Sequence, residues 1–149
     1  HPILHSFPTR RSSDLFDQRI SVIVSSCGFD SYLDYYGASE NVWFFGKGWC
    51  QIRYMPRLSD YRGRLDEIPY DFHELLGALA PRPLFVNAPT RDSNFVADSV
   101  DRCAAAARPV YKLLGNEKSL VIRHPDSDHN FPDDMRAEAY KLIDSVLRP

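Results

Sequence analysis

Two ionisable side chains each follow a short apolar run of the kind that forms a buried strand. Asp92 comes after the run LFV at residues 84–86, and His129 comes after the run LVI at residues 120–122. In open α/β sheets, ligands and reacting groups collect just beyond the carboxyl ends of the strands. A carboxylate beside an imidazole holds one ring tautomer and stabilises the charged ring, so that the imidazole can take up and return a proton. The sequence therefore predicts an acid and a base on neighbouring strands.

Three apolar runs predict the sheet that positions this pair. The first run begins at Ile20 and ends at Val24, and the other two are those that precede Asp92 and His129. Continuous runs rich in β-branched residues are typical of parallel strands that are buried on both faces. We therefore expect three parallel strands whose carboxyl ends lie at one edge of a sheet.

Helices are predicted between and after these strands. Apolar residues recur at helical spacing over residues 71–79, 97–114 and 132–147. Asp71 and Glu74 have the spacing of a capping box, so the first of these helices is expected to begin there. Gly115 favours the end of the second helix, and Pro109 is expected to kink it. Strands that alternate with helices indicate an α/β fold.

Four segments of the sequence resemble a known enzyme family. They read LGALAPRPLFVNAP, RDSNF, AAARPVYKLLG and HPDSDHNFP, and together they are similar to the carboxyl-terminal half of bacterial α/β-hydrolases of the dienelactone hydrolase and acetylxylan esterase type. The resemblance covers residues 16–149. It implies the C-terminal part of an α/β-hydrolase fold, with the last three parallel strands and their flanking helices, which is incomplete without the rest of the sheet. It also implies that Asp92 and His129 belong to a Ser–Asp–His triad.

The nucleophile of such a triad has no candidate in this sequence. Neither the motif G-x-S-x-G, which places the serine on a sharp turn, nor an HGGG-type segment for the oxyanion hole occurs in residues 1–149. Ser25 and Ser26 stand outside such a motif, and we expect them to support the cleft. By the resemblance, the serine lies upstream. We therefore expect a parent enzyme that hydrolyses carboxylic esters of small molecules or carbohydrates without a cofactor, and no activity in this chain alone.

Two other functions are compatible with the same residues. A prolyl-oligopeptidase-like serine peptidase shares the fold and the order of the triad, and a non-catalytic hydrolase-like binding protein could retain the acid and the histidine. A metal site is a further alternative, because His124, Asp126, Asp128 and His129 could hold a divalent cation. Carboxylates in such loops more often cap turns or face water, so we expect no metal.

Residues 30–70 form a long segment that is rich in aromatic side chains and weak in periodicity. Segments of this length without regular structure are usually functional in compact domains. By the resemblance, this position carries a cap-like or substrate-shaping insertion, and Trp49, Arg53 and Tyr54 are the candidates for contact with substrate. The alternative is that most of the rings pack the insertion onto the domain, because aromatic side chains contribute much of core burial.

The composition is that of an ordinary globular protein. The chain has 149 residues, of which 44% are hydrophobic and 26% are charged, and its net charge is −2. This length fits one domain. The chain is not basic enough to indicate nucleic acid, and no stretch has the apolar length of a membrane span, so we expect neither partner. The three cysteines form no C-x-x-C pair, so neither a disulfide framework nor a zinc knuckle is predicted.

The first residues differ in character from the rest of the chain. Residues 1–15, HPILHSFPTRRSSDL, begin without Met and resemble translated sequencing-adapter read-through. We expect this segment to be non-native and disordered, and residues 16–149 to be the native part of the domain. On this interpretation the natural protein continues upstream of Phe16, so the sequence leaves its targeting segment and compartment open.

Overall fold

Strands and helices alternate along most of the chain. The computed structural model describes residues 11–148. In chain order, the helices and strands are α1 (Arg11–Phe16), β1 (Ile23–Ser26), α2 (Phe72–Leu79), β2 (Leu84–Asn87), α3 (Ala97–Leu113), β3 (Leu120–Arg123) and α4 (Asp133–Leu147). Each predicted strand and helix is present, and most ends differ from the prediction by only a residue or two. The largest difference is in β1, which begins at Ile23 rather than Ile20 and includes both serines.

The three strands form one parallel sheet in the order β1, β2, β3. Ile23 pairs with Leu84, and Leu84 pairs with Leu120, so the strands run in step and end together. Parallel strands need crossover connections, and each crossover here contains a helix. The predicted α/β fold with three parallel strands and flanking helices is confirmed. Because the carboxyl ends of the strands coincide, the residues that follow them meet at one edge of the sheet.

Each face of the sheet has its own hydrophobic core. The larger core lies between the sheet and helices α2 and α3, and it includes Leu84 and Val86 of β2. The smaller core lies against α4, where Val24 and Phe85 pack with Ile143. Successive residues of a strand point to opposite faces, so β2 contributes to both cores and is buried along its whole length. The domain therefore has three layers, with helices on both sides of the sheet.

Residues 30–70 contain no α-helix or strand and follow a series of short 3₁₀ turns. Four of their rings are nevertheless buried in the larger core, namely Tyr32, Tyr35, Trp43 and Trp49. Tyr32 makes edge contacts with Trp43 at 5.8 Å and with Trp49 at 6.4 Å between ring centroids. Other rings of the segment, such as Phe45, are exposed. Aromatic burial therefore fixes this segment where regular secondary structure is absent.

The beginning of the described chain is helical. Residues Arg11–Phe16 form α1, and Leu15 packs against the larger core. The expectation that residues 1–15 are non-native and disordered stays a prediction. Residues 1–10, the remainder of the segment expected to be disordered, lie outside the described residues. Within residues 11–148, none of the helices has both the length and the apolar character that crossing a membrane requires.

Helix α2 begins at the predicted capping box. The Asp71 carboxylate accepts a hydrogen bond from Phe72 N at 2.6 Å, and the Glu74 carboxylate accepts one from Asp71 N at 2.7 Å. The Asp71 carboxylate also accepts hydrogen bonds from Ser31 Oγ at 2.5 Å and from Tyr32 N at 3.1 Å. One side chain therefore caps the helix and ties the start of the aromatic segment to it.

Helix α3 ends close to where the sequence predicts. Its last residue is Leu113, and Gly115 has a φ of 75°, a left-handed conformation that favours glycine after a helix. Pro109 lies inside the helix, which continues beyond it to Leu113. The residues after Gly115 lead directly into β3.

Replacing Asp71 by alanine is expected to lower the free energy of unfolding by about 2 kcal/mol, because a helix cap and two tertiary hydrogen bonds are lost together. Urea denaturation followed by circular dichroism measures the change. Asp144→Ala is the matched control: its exposed carboxylate lies 3.7 Å from Arg148, and its loss should cost less than about 0.5 kcal/mol. Equal losses of unfolding free energy in the two variants would show that Asp71 stabilises the fold no more than an exposed carboxylate does.

Candidate active site

Asp92 and His129 meet beyond the carboxyl ends of β2 and β3. The Nδ1 atom of His129 lies 2.9 Å from Oδ1 and 3.0 Å from Oδ2 of Asp92. The Asp92 side chain is 1% exposed, whereas the His129 side chain is 43% exposed. A carboxylate at this distance accepts the Nδ1 proton, which leaves the lone pair on Nε2. The residues predicted as acid and base thus form a hydrogen-bonded pair whose imidazole is open to solvent.

Backbone hydrogen bonds join the loops after β2 and β3 and hold this pair together. They run from Thr90 N to Pro125 O at 3.0 Å and from Arg91 N to Ser127 O at 3.2 Å. Asp92 follows directly, and its Oδ1 accepts hydrogen bonds from Asn94 N at 2.7 Å and from Phe95 N at 3.3 Å. These backbone hydrogen bonds therefore orient the Asp92 carboxylate independently of its contact with the imidazole.

Asn87, the last residue of β2, links three parts of the site and was not predicted from the sequence. Its Nδ2 donates to Asn130 O and to Ser26 Oγ, each at 2.9 Å, and its backbone O accepts a hydrogen bond from Cys27 N at 2.8 Å. The side chain is fully buried. A polar residue at the end of an apolar strand is the signal that could have found it. Asn87 fixes the end of β1 and the residue after His129.

A cavity of about 600 Å³ lies beside His129, which forms part of its wall. The three residues predicted to contact substrate, Trp49, Arg53 and Tyr54, all line this cavity. Trp49 is also a core residue, since it is only 3% exposed. The guanidinium of Arg53 lies over the ring of Tyr54, 4.9 Å from its centroid. The cavity therefore combines aromatic faces with a cation, and Gln51 adds a side-chain amide.

The acidic and histidine residues that could have formed a metal site after β3 do not converge. His124 contacts Ala88 O and Asp101. Asp126 and Asp128 both pair with Arg91. Hydrogen bonds and ion pairs thus occupy these three side chains, and His124 has different partners from the two aspartates. Within residues 11–148, the group of side chains that could hold a metal ion is instead Cys27, Asp92 and His129.

Neither serine of β1 lines the cavity, but the residue that follows them does. Ser25 is fully buried, and Ser26 accepts a hydrogen bond from Asn87. Cys27 has a left-handed backbone with a φ of 49°. Burial, and to a smaller extent the charge of Asp92, raise the pKa of the Cys27 thiol to about 11. The thiol is therefore neutral near pH 7 and is not prepared to act as a nucleophile.

The parallel sheet with helices on both faces is part of an α/β-hydrolase fold, and the Asp92–His129 pair lies at the carboxyl edge of this sheet. Within that class a particular family matches the sequence. Residues 37–115, which are more than half of the chain, match the family described as glucuronyl esterase, fungi. The chain belongs to this family.

Two relatives are named 4-O-methyl-glucuronoyl methylesterases. Over 111 residues, the chain is 32% identical to the protein from Wolfiporia cocos (strain MD-104) and 26% identical to the one from Phanerochaete carnosa (strain HHB-10118-sp). The two alignments cover 73% and 72% of this chain, but each covers 25% of the relative. The chain thus spans about a quarter of the length of these relatives.

Solved structures of glucuronoyl esterases share the fold. The carbohydrate esterase family 15 enzyme from Caldicellulosiruptor kristjansonii superposes with a TM-score of 0.72 at 18% identity, over 93% of this chain and 40% of that chain. The catalytic domain from Hypocrea jecorina gives a TM-score of 0.70 at 18% identity, over 92% of this chain and 40% of that chain. The resemblance seen in the sequence is therefore confirmed at the level of an esterase with an α/β-hydrolase fold, and the matched family is the glucuronyl esterases.

Gly48 stands where a side chain does not fit, immediately before Trp49. Its φ is 44°, and a Cβ there would lie 2.7 Å from Val42 O and 3.0 Å from the Tyr35 ring. Gly46 also has a positive φ, 85°, but a Cβ there would meet nothing within 4 Å. A side chain at either glycine would have a left-handed backbone, but only one at Gly48 would also collide with neighbouring atoms.

We expect Gly48→Ala to lower the free energy of unfolding by about 3 kcal/mol and Gly46→Ala by about 1 kcal/mol. Both substitutions carry the cost of a left-handed alanine, and only the first also pushes a methyl group into a backbone carbonyl. Urea denaturation of the two variants measures the difference. Equal losses would show that the close approach at Gly48 does not limit the position of Trp49.

Asp30 is a fully buried carboxylate between β1 and α3. Its Oδ2 accepts a hydrogen bond from Val96 N at 3.1 Å, and its Oδ1 has no hydrogen-bond partner within residues 11–148. Burial raises the pKa of Asp30 to about 7; the Val96 hydrogen bond opposes this rise, and the charges of Asp34 and Asp71 add to it. Ionisation of Asp30 is therefore less favourable in the folded state than in the unfolded chain.

The stability of the protein should depend on pH through this group. The unfolded chain releases the Asp30 proton near pH 3.9, roughly the value of a free Asp, whereas the folded state keeps it to about pH 7. The contribution of Asp30 to the stability of the fold therefore falls between about pH 4 and pH 7. Asp30→Asn keeps an acceptor for Val96 N without the charge. At pH 8 we expect it to be more stable than the unsubstituted protein by on the order of 2 kcal/mol, with the difference vanishing near pH 4.

Asp34→Asn is the control of opposite sign. Burial alone would raise the pKa of Asp34, but hydrogen bonds from Ser99 and Arg102 outweigh burial, and the pKa is lowered. Its replacement should therefore reduce stability at pH 8, and this loss should shrink as the pH falls. Urea denaturation over a pH series measures both variants. A difference between Asp30→Asn and the unsubstituted protein that stayed constant with pH would contradict a neutral Asp30.

Proposed function

We propose that this chain carries the acid, the base and one wall of the substrate cavity of a serine-type glucuronoyl ester hydrolase. The observation that carries the proposal is the contact between Asp92 and Nδ1 of His129 at 2.9 Å, on the wall of a cavity with aromatic faces. Membership of the glucuronyl esterase family supports the substrate class. The resemblance to acetylxylan esterases favours the same kind of substrate, an ester borne by a carbohydrate.

In this proposal His129 is the general base. Its Nε2 has no hydrogen-bond partner within residues 11–148, so its lone pair is available. The imidazole takes the proton of a serine hydroxyl as the serine attacks the ester carbonyl, and it returns that proton to the departing alcohol. Water, deprotonated by the same imidazole, then hydrolyses the acyl-enzyme and releases the acid.

Asp92 is the orienting acid in this mechanism. By accepting the Nδ1 proton, it selects the tautomer in which Nε2 is the base, and its negative charge stabilises the imidazolium that forms. With a side chain that is 1% exposed, the carboxylate is shielded from water, which strengthens its interaction with the charged ring.

Residues 30–70 form the substrate-shaping part of the site in this proposal. Trp49 and Tyr54 offer faces against which a sugar ring can pack, and Gln51 offers an amide that can both donate and accept hydrogen bonds with hydroxyl groups. Arg53 supplies a cation, which suits the carboxylate that hydrolysis of a glucuronoyl ester releases. We place the sugar, rather than the departing alcohol, against this wall.

The nucleophilic serine and the oxyanion hole are proposed to lie outside residues 1–149, because the sequence contains neither motif. We therefore expect the chain alone not to hydrolyse a glucuronoyl methyl ester. Sequencing the source DNA across the codon for Phe16 tests this and also tests whether residues 1–15 are native. An in-frame G-x-S-x-G upstream supports the proposal, and its absence would favour a non-catalytic binding protein.

In the complete protein, His129→Ala and Asp92→Asn are each expected to lower kcat for a glucuronoyl methyl ester by about 10⁴-fold, because both residues act on the transition state. Initial rates over a range of ester concentrations measure this. His73→Gln is the matched control: this histidine is exposed on α2, pairs with Glu74 at 3.1 Å and does not line the cavity. The control should retain kcat within about twofold. An His129→Ala enzyme that kept more than about a tenth of kcat would sink the assignment.

A further inference from the structure

We propose that Cys27, Asp92 and His129 bind a thiophilic divalent cation of the Zn²⁺ class. One ligand atom from each residue lies within 4.8 Å of the other two. Zinc holds sulfur and nitrogen ligands at about 2.0–2.3 Å in a tetrahedral arrangement, so two ligands of one ion are about 3.5 Å apart. The three atoms therefore have to approach one another by up to about 1 Å to hold a single ion, which rotation of the side chains would allow.

The fold, rather than local sequence, brings these ligands together. Cys27 follows β1, Asp92 follows β2, and His129 follows β3. Because the strands end in step, each ligand starts from a fixed edge of the sheet. A cation bound here would join the ends of all three strands.

The thiol is held in place by its surroundings. Cys27 N donates to Asn87 O at 2.8 Å, and Cys27 Sγ lies 3.3 Å from Asn130 O. Its φ of 49° is uncommon for a residue with a side chain, and such a conformation persists only where neighbouring contacts enforce it. It places the thiol on the same cavity wall as His129.

The chemistry of the three groups suits a borderline-soft cation. A thiolate and an imidazole select Zn²⁺ or Co²⁺ over Mg²⁺ and Ca²⁺, which prefer sites made of oxygen ligands. A thiolate, a carboxylate and a neutral imidazole together compensate the charge of a divalent ion, and the thiol proton is released to solvent on binding. Three protein ligands would leave a fourth tetrahedral position for water or a carboxylate.

Binding of the cation would take His129 and Asp92 out of catalysis, because the metal would then hold the groups that move and orient the proton. This consequence for activity rests on the proposed function. Cation binding itself does not, and it can be measured on the chain without any substrate.

Titration of the 149-residue chain with Co²⁺ tests the proposal. Thiolate-bound Co²⁺ has a charge-transfer band in the near ultraviolet, and we expect this band to appear and to saturate at one Co²⁺ per chain. Zn²⁺ should abolish the band by competition, whereas the same concentration of Mg²⁺ should leave it unchanged. A chain that shows no saturable band overturns the proposal.

Two substitutions at the site and one away from it identify the ligands. Cys27→Ser should remove the charge-transfer band, and His129→Ala, at a more exposed position, should weaken Co²⁺ binding by at least about tenfold. Cys103→Ala is the matched control, because Cys103 is 4% exposed within α3 and should leave the band intact. Near-ultraviolet circular dichroism shows whether each variant is folded.

The outcomes separate cation binding from its effect on catalysis. A band that survives in folded Cys27→Ser overturns the site, as does unchanged affinity in folded His129→Ala. Saturable binding, combined with loss of ester hydrolysis by the complete enzyme in Zn²⁺ and recovery on chelation, supports both the site and its effect. Saturable binding with hydrolysis unaffected by Zn²⁺ supports the site and overturns the inhibition.

Discussion

The backbone hydrogen bonds between the loops after β2 and β3 are the constraint on which the site depends. Asp92 and His129 are 37 residues apart in the chain, and neither is part of a regular element. The parallel register determines where each loop begins, and the hydrogen bonds at Thr90 and Arg91 determine the course of the two loops from there. The separation between carboxylate and imidazole is therefore set mainly by main-chain geometry, which costs little to maintain once the sheet has formed.

Much of the fold could be predicted because its signals are local. The runs at residues 84–86 and 120–122 became β2 and β3, and the capping box at Asp71 became the start of α2. The start of β1 could not be predicted in the same way, since it depends on a partner. β2 begins at Leu84, so residues before Ile23 have no strand to pair with, and the carbonyl of Ile20 is instead bound by the guanidinium of Arg82 at 3.1 Å.

The candidate site was only partly predictable, for a related reason. Asp92 and His129 could be inferred because each follows a recognisable strand and because their order resembles that of a known family. The spacing of the acidic residues after β3 left a metal site open as an alternative, because spacing alone does not determine where Asp126 and Asp128 point; in the structure, Arg91 from the neighbouring loop binds both. The roles of Asn87 and Cys27 depend on which strand ends lie side by side, and this information resides in the sheet register.

Trp49 is part of both the hydrophobic core and the cavity wall, and this constrains which substitutions the protein can accept at that position. Its ring packs against Tyr32 and Phe72 on one side and forms cavity wall on the other. A substitution that reshaped the cavity at this ring would also leave a void beneath it, so selection for a new substrate would act against selection for a folded protein. Arg53, which is exposed, and Gln51, which is half-buried, carry no such penalty. If the proposed function holds, adaptation to different substrates should therefore accumulate at these two positions while the tryptophan stays unchanged.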